Sequence, residues 1–292
     1  MLNDITLTIL TTVITEHPII PAMDPAFMLI LLLTGLAAGI LGSLFGIGGG
    51  MIIVPVLTVV CGLTAIEAAA TSLVGIIATS VGGTVFYLDK GITNIRLGLL
   101  LEISTVIGAM IGALISAMLE EWVVLSVFTL VILFSAIRMI MNLNAKTETS
   151  EDGEFEYTDP KDGSIVRYDV KNKTLGFSLC SIAGVISSLT GVGGGLIKVP
   201  VMNMLMNVPM KAATATSSYM IGITAFSGAI IYFMNGQVTL DTAGFVAIGS
   251  FAGAVIGSRL SRLFDATSLK KYFSVLLLVI SVVMIVRIGG MI

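Results

Sequence analysis

Gly46–Val56 reads GIGGGMIIVPV and Gly191–Val201 reads GVGGGLIKVPV, and eight of the eleven positions are identical. The offset of 145 residues between Gly46 and Gly191 holds without a gap beyond the motif. Ala70-Thr71-Ser72 falls on Ala215-Thr216-Ser217, Tyr87 on Tyr232, and Gly91 on Gly236. Gly108-Ala109 with Gly112 falls on Gly253-Ala254 with Gly257. The chain is therefore one unit written twice, copy one over 27–143 and copy two over 175–288, and each copy opens with a triple glycine inside an apolar run.

Composition says where those copies live. Hydrophobic residues make up 56% of the 292 and charged residues 11%. Apolar runs recur along almost the whole length, the pattern of a polytopic membrane protein. Backbone polar groups in lipid have to be satisfied within the segment, so an all-α fold is expected. The 32 glycines suit helices that approach one another closely. Gly108/Gly112 and Gly253/Gly257 have the small-xxx-small spacing of such contacts. Cys61 and Cys180 both lie in apolar runs, and the single histidine, His17, is near the N-terminus. No metal-ligand spacing is present, so no metal and no cofactor is expected, and nothing basic enough for nucleic acid.

Residues 1–26 contain Asp4, Glu16 and Asp24 but no Lys or Arg, and read as an extracytoplasmic lead-in. Copy one predicts segments over 27–45, a glycine break, a piece to Cys61, then 65–88, 97–119 and 122–143. Copy two repeats the plan over 175–190, a break, 196–208, then 212–234, 242–258 and 272–288, with a short tail over 289–292. The polar linker 144–174 carries 13 of the 33 acidic and basic residues. Within it, Glu154–Tyr157 and Ser164–Tyr168 flank Asp159-Pro-Lys-Asp-Gly163 and read as a small β-hairpin in a solvated tether.

Loop charge sets the orientation. In copy one the loop at 89–96 carries Lys90 and Arg96, and the next carries Glu120 and Glu121. In copy two the order is swapped: 235–241 has no Lys or Arg, and the next loop carries Arg259, Arg262, Lys270 and Lys271. The positive-inside rule then places the copies in opposite orientations, with the linker and Lys211 cytoplasmic and both termini extracytoplasmic, in the plasma membrane. Inverted copies need an odd number of crossings each. Three full helices plus a re-entrant hairpin satisfy this, as do five crossings. The short piece after the glycines, with its Pro55 or Pro200, favours the hairpin.

Three glycines in a helix interior are unfavourable by about 1 kcal/mol each relative to alanine. They suit a sharp turn and a close backbone approach to a ligand. A helix that starts just after them points free N–H groups into the turn, which makes an anion site from backbone alone. Gly48, Gly49, Gly50, Gly193, Gly194 and Gly195 are therefore the candidate binding loops, and a dinucleotide fingerprint is excluded because no strand precedes either run. Thr71, Ser72, Thr216 and Ser217 form a matched set of hydroxyls suited either to an anion or to helix packing.

Lys198 stands where copy one has Ile53. A lysine at the membrane centre is unfavourable by about 2.5–3.5 kcal/mol on insertion scales, so it needs a cavity, an interface or a partner. Lys198 is the candidate counter-charge for an anion, with Glu102 as its alternative partner; Glu102 is also the candidate carrier of a coupled proton.

At these residues the chain resembles the TauE/SafE sulfite exporters, also called the sulfonate-uptake permeases. The resemblance rests on the paired Gly-x-Gly-Gly-Gly…Val-Pro runs, the Ala-Thr-Ser segments and the duplicated plan, from about Leu31 to Ile285. It implies a secondary transporter of a small anion such as sulfite or an organosulfonate, working by alternating access of the two repeats around a midplane site. A monovalent anion leaving a cell with a negative interior gains about 2.3 kcal/mol per 100 mV, so export needs no coupling ion. An anion channel and an intramembrane enzyme are the rival readings. The second has no His-Glu-x-x-His or Gly-x-Ser-x-Gly motif to support it.

Overall fold

The computed structural model describes residues 24–116, 118–141, 153–158, 163–260 and 266–289. The lead-in up to residue 23, Arg262 and the tail 290–292 lie outside the described residues. Ten α-helices make up most of these residues. In copy one they are α1 (Pro25–Phe45), α2 (Gly50–Pro55), α3 (Ala65–Asp89), α4 (Ile95–Ser116) and α5 (Glu121–Met141). In copy two they are α6 (Lys173–Thr190), α7 (Gly195–Pro200), α8 (Met210–Met234), α9 (Leu240–Leu260) and α10 (Ala266–Gly289). Six of them, α1, α3, α4, α6, α8 and α9, are long and apolar enough to cross a membrane.

The boundaries have local causes. Asp24 caps α1 and Pro25 follows at its first position. Thr64 and Glu67 form a reciprocal capping box at the start of α3. Both α1 and α6 stop at a glycine in the left-handed region, Gly46 (φ 67°) and Gly191 (φ 70°). Beyond each triple glycine the chain resumes as one α turn ending in Pro55 or Pro200, then widens into a π turn, Val56–Val60 or Val201–Leu205. Proline has no N–H to give its own i−4 carbonyl, and a local change of helical pitch beside it follows. Gly50–Val60 spans only about 16 Å at 1.5 Å per residue, half the thickness of a hydrocarbon core.

The copies interlock. Helix α1 packs most extensively on α9, and its copy-two counterpart α6 packs on α4. Helix α9 also packs on α3, and α4 on α8. Two bodies result, α1–α3 with α9, and α6–α8 with α4, each borrowing one helix from the other copy. They meet along α3 and α8, while α5 and α10 pair beside them. Glycines make the borrowing close. A Cβ at Gly249 or Gly253 would run into carbonyls of α1, and one at Gly108 or Gly112 into carbonyls of α6.

The linker hairpin is present, β1 (Phe155–Thr158) antiparallel to β2 (Ile165–Tyr168), with Phe155 opposite Tyr168 and Tyr157 opposite Val166. It is not a solvated tether. Tyr168 and Tyr157 are buried in a cluster with Met202, Met206 and Val208 at the end of the second glycine-broken piece. The Lys171 N–H donates to Met206 O at 3.0 Å and Asn172 Nδ2 to Leu205 O at 2.9 Å. The charges that make the linker look solvated sit on its outer side, as in the exposed pair Arg167–Glu156 at 3.0 Å.

Candidate functional site

The two glycine turns touch one another. A Cβ at Gly50 would strike Gly191 O, and a Cβ at Gly195 would strike Gly46 O, so each turn has room for the other only as glycine. Gly48, Gly49, Gly193 and Gly194 all have positive φ, between 68° and 95°. The N–H groups of Gly50, Met51, Gly195 and Leu196 meet no acceptor among the described residues. These are the first positions of the helical pieces, where intrahelical acceptors do not exist. Ile76 lies against both Gly48 and Gly193, and its copy-two equivalent Ile221 lies against Gly48.

Two serines lock the turns crosswise. Ser72 Oγ donates to Gly191 O and Ser217 Oγ donates to Gly46 O, both at 2.7 Å. Each serine thus reaches the turn of the other copy, and its one hydroxyl hydrogen is taken by a carbonyl. The threonines differ. Thr216 Oγ1 accepts the Asn94 N–H at 2.9 Å, whereas Thr71 Oγ1 is buried and has no partner.

Lys198 is fully buried, away from water, beside Glu102, which is 3% exposed. Its Nζ donates to Glu102 Oε2 at 3.2 Å and to Thr224 Oγ1 at 2.6 Å. Thr224 in turn donates to the other oxygen, Glu102 Oε1, and Thr105 Oγ1 lies 3.0 Å from Oε2. Of the two partners the sequence allowed, the structure shows Glu102. The cluster draws Glu102 from copy one and Lys198 and Thr224 from copy two, and it is not repeated: the 145-residue offset puts Ile53 and Thr79 in copy one and Ala247 in copy two.

The structure therefore brings together the six glycines and the two serines, and sets Lys198 on the same helical piece but on a carboxylate. Sequence reasoning missed Asn94, Thr224, Ile76 and Ile221. The two isoleucines sit at the repeat offset, and so does Thr79 with Thr224, so the signal was there. Asn94 carried none: its Oδ1 caps Leu97 N–H at 3.0 Å, its Nδ2 donates to Tyr168 OH at 3.0 Å, and its N–H reaches Thr216.

The family described as "Sulfite exporter TauE/SafE" matches residues 31–284. The chain belongs to that family. Among its relatives, the probable membrane transporter protein YunE of Bacillus subtilis is 26% identical, over 86% of this chain and 94% of its own length. A probable membrane transporter protein of Haemophilus influenzae is 26% identical, over 87% and 94%. Sulfite exporter TauE/SafE family protein 5 of Arabidopsis thaliana is 24% identical, over 47% of this chain and 29% of its own. No solved structure matches the chain. As a TauE/SafE member with six candidate spans, this is a multi-pass membrane transporter.

Proposed function

We propose that this TauE/SafE protein is a secondary transporter, working as an exporter, of a small sulfur-containing anion such as sulfite or an organosulfonate, and that the anion binds between the two glycine turns. The observation that carries the reading is their reciprocal meeting, with unpartnered N–H groups at Gly50, Met51, Gly195 and Leu196. Backbone donors at two helix starts favour a negative charge and discriminate little among oxyanions. Gly48–Gly50 and Gly193–Gly195 form the cradle, with Thr71 as a free hydroxyl beside it. Ser72 and Ser217 hold the closed cradle together rather than bind the anion.

The moving parts are the two interlocked bodies, not the sequence repeats. A repeat moving by itself would have to tear α1 from α9 and α4 from α6. The α3–α8 seam is crossed by few polar bonds: Ser72–Gly191, Ser217–Gly46, and Ser80 Oγ to Ser218 O at 2.5 Å. With the linker cytoplasmic and the copies inverted, opening the seam at either end exposes the cradle to one side.

The test is counterflow in proteoliposomes. Saturable uptake of labelled sulfite or alkanesulfonate, stimulated by the same anion inside, is the expected result. Flux that never saturates would make the protein a channel, and no flux of any sulfur oxyanion would remove the substrate class. In intact cells, cysteines placed in 235–241 should react with an impermeant reagent and those in 89–96 should not. Equal labelling would end the inverted arrangement.

A further inference from the structure

The buried Lys198–Glu102–Thr224 cluster is not repeated at the 145-residue offset and ties together three helices of a single body, α7, α4 and α8. It therefore does not hold the seam closed. An ammonium has three hydrogens, and Lys198 gives two of them, to Glu102 and Thr224, with no third acceptor among the described residues. Lys198 lies on the same helical piece as the free N–H groups of Gly195 and Leu196, and its own N–H is held by Gly194 O at 2.9 Å. From these observations, and resting on the transport reading above, we infer that Glu102 is the proton-coupling carboxylate and that each anion moves together with one proton.

The exchange follows from charge balance. In the closed structure Lys198 and Glu102 neutralise each other. An anion arriving at the cradle competes for the ammonium. Once Lys198 turns to it, Glu102 would be left as a buried, unpaired carboxylate, which is strongly unfavourable in a dry interior. Taking one proton from the side that the site faces converts it to a neutral acid. The anion then pairs with Lys198, and the carboxylic acid keeps its hydrogen bonds to Thr224 and Thr105, since hydroxyls serve either form. The empty site (ammonium plus carboxylate) and the loaded site (ammonium, anion and neutral acid) both carry no net charge. The anion and proton gradients together set the direction, and the membrane potential drops out of the driving force.

The groups that face the pair are few. Helix α8 presents Thr224, α4 itself adds Thr105, and α6 presents the buried Cys180 thiol, which interacts with both Lys198 and Glu102.

The experiment uses the full protein in liposomes with a pH-sensitive dye inside and methanesulfonate outside, an anion whose charge is constant over the pH range used. Wild-type uptake should acidify the lumen by one proton per anion. It should accelerate by up to about tenfold for each unit that the external pH falls, and ignore an imposed potential. In Glu102→Gln the side chain is permanently neutral, so uptake should persist without acidification, lose its pH dependence and become sensitive to potential. Wild-type uptake that responds to potential and moves no proton overturns the coupling but leaves the transport reading intact, and that measurement stands even if Glu102→Gln does not fold. Acidification by Glu102→Gln equal to wild type also overturns it. No uptake of methanesulfonate or sulfite by wild type overturns the transport reading, and the coupling with it.

Discussion

Lys198 shows how a single residue is decided by its surroundings. Its partner Glu102 is buried with it, and Thr224 bonds both. Breaking a buried pair by removing one member leaves an uncompensated charge, a loss of about 3–5 kcal/mol, whereas replacing both members with apolar residues of like size is often neutral. Lys198→Met and Glu102→Leu should each lower the unfolding temperature in detergent markedly, and the double variant should recover most of it. Equal destabilisation by all three would mean that the pair's geometry, not its charge balance, supports the fold. The glycines need similar care. Gly49 looks from the sequence like a position where a side chain would only block ligand approach. In the structure a Cβ there would strike Ala38 O in α1, at a φ of 83°. Gly49→Val therefore disturbs packing as well as access. Gly48, whose neighbours are the movable ends of Ile76 and Ile221, is the better probe of the cradle, although its φ of 88° still adds strain.

At the scale of elements, what the chain's own periodicity encodes is visible early, and what depends on distant partners is not. Helix positions, the two glycine breaks and the hairpin all follow from local signals: apolar run length, Gly46 and Gly191 in the left-handed region, and alternation around Asp159-Pro-Lys-Asp-Gly163. The crosswise serine bonds were hidden, because nothing in Ala-Thr-Ser says that Ser72 reaches a carbonyl 119 residues away. The hairpin's docking was hidden too, since its charge dominated the reading while Tyr168, Tyr157 and Phe155 carried the contact. Burial raises the Tyr168 phenol above its ordinary 10.0, and the Asn94 hydrogen bond offsets part of that. The neutral phenol is the docked form, so its contribution is complete at neutral pH and is lost as pH climbs through the raised value. Tyr168→Phe removes the bond to Asn94 and should loosen the hairpin by about 1 kcal/mol. Hydrogen exchange should then quicken across Phe155–Thr158 and Ile165–Tyr168. Unchanged exchange would mean that apolar burial alone holds the hairpin down.

For the whole molecule the interlocked packing restricts which motions are open to it. Carbonyls of α1 lie against glycines of α9, and carbonyls of α6 against glycines of α4, with no space for a side chain between them. Contacts that close behave as one solid, because separating them exposes backbone and leaves voids that neither lipid nor water fills well. The α3–α8 seam differs in kind. Ser80 meets Ser218 there, and Gly222 leaves space beside Ser80. Small residues and single hydrogen bonds can part and re-form at little expense in free energy. A disulfide across this seam should therefore stop the cycle while leaving the resting structure nearly undisturbed. The double variant Ser80→Cys/Ser218→Cys puts a thiol on each side of the seam, at the point where Ser80 Oγ donates to Ser218 O. The native thiols Cys61 and Cys180 are buried and free, so they compete little for the oxidant. Oxidised, the variant should lose counterflow in proteoliposomes, and reduction should restore it. If the cross-linked protein exchanged anion at the reduced rate, the seam would not be the moving surface, and the two bodies would have to travel as one.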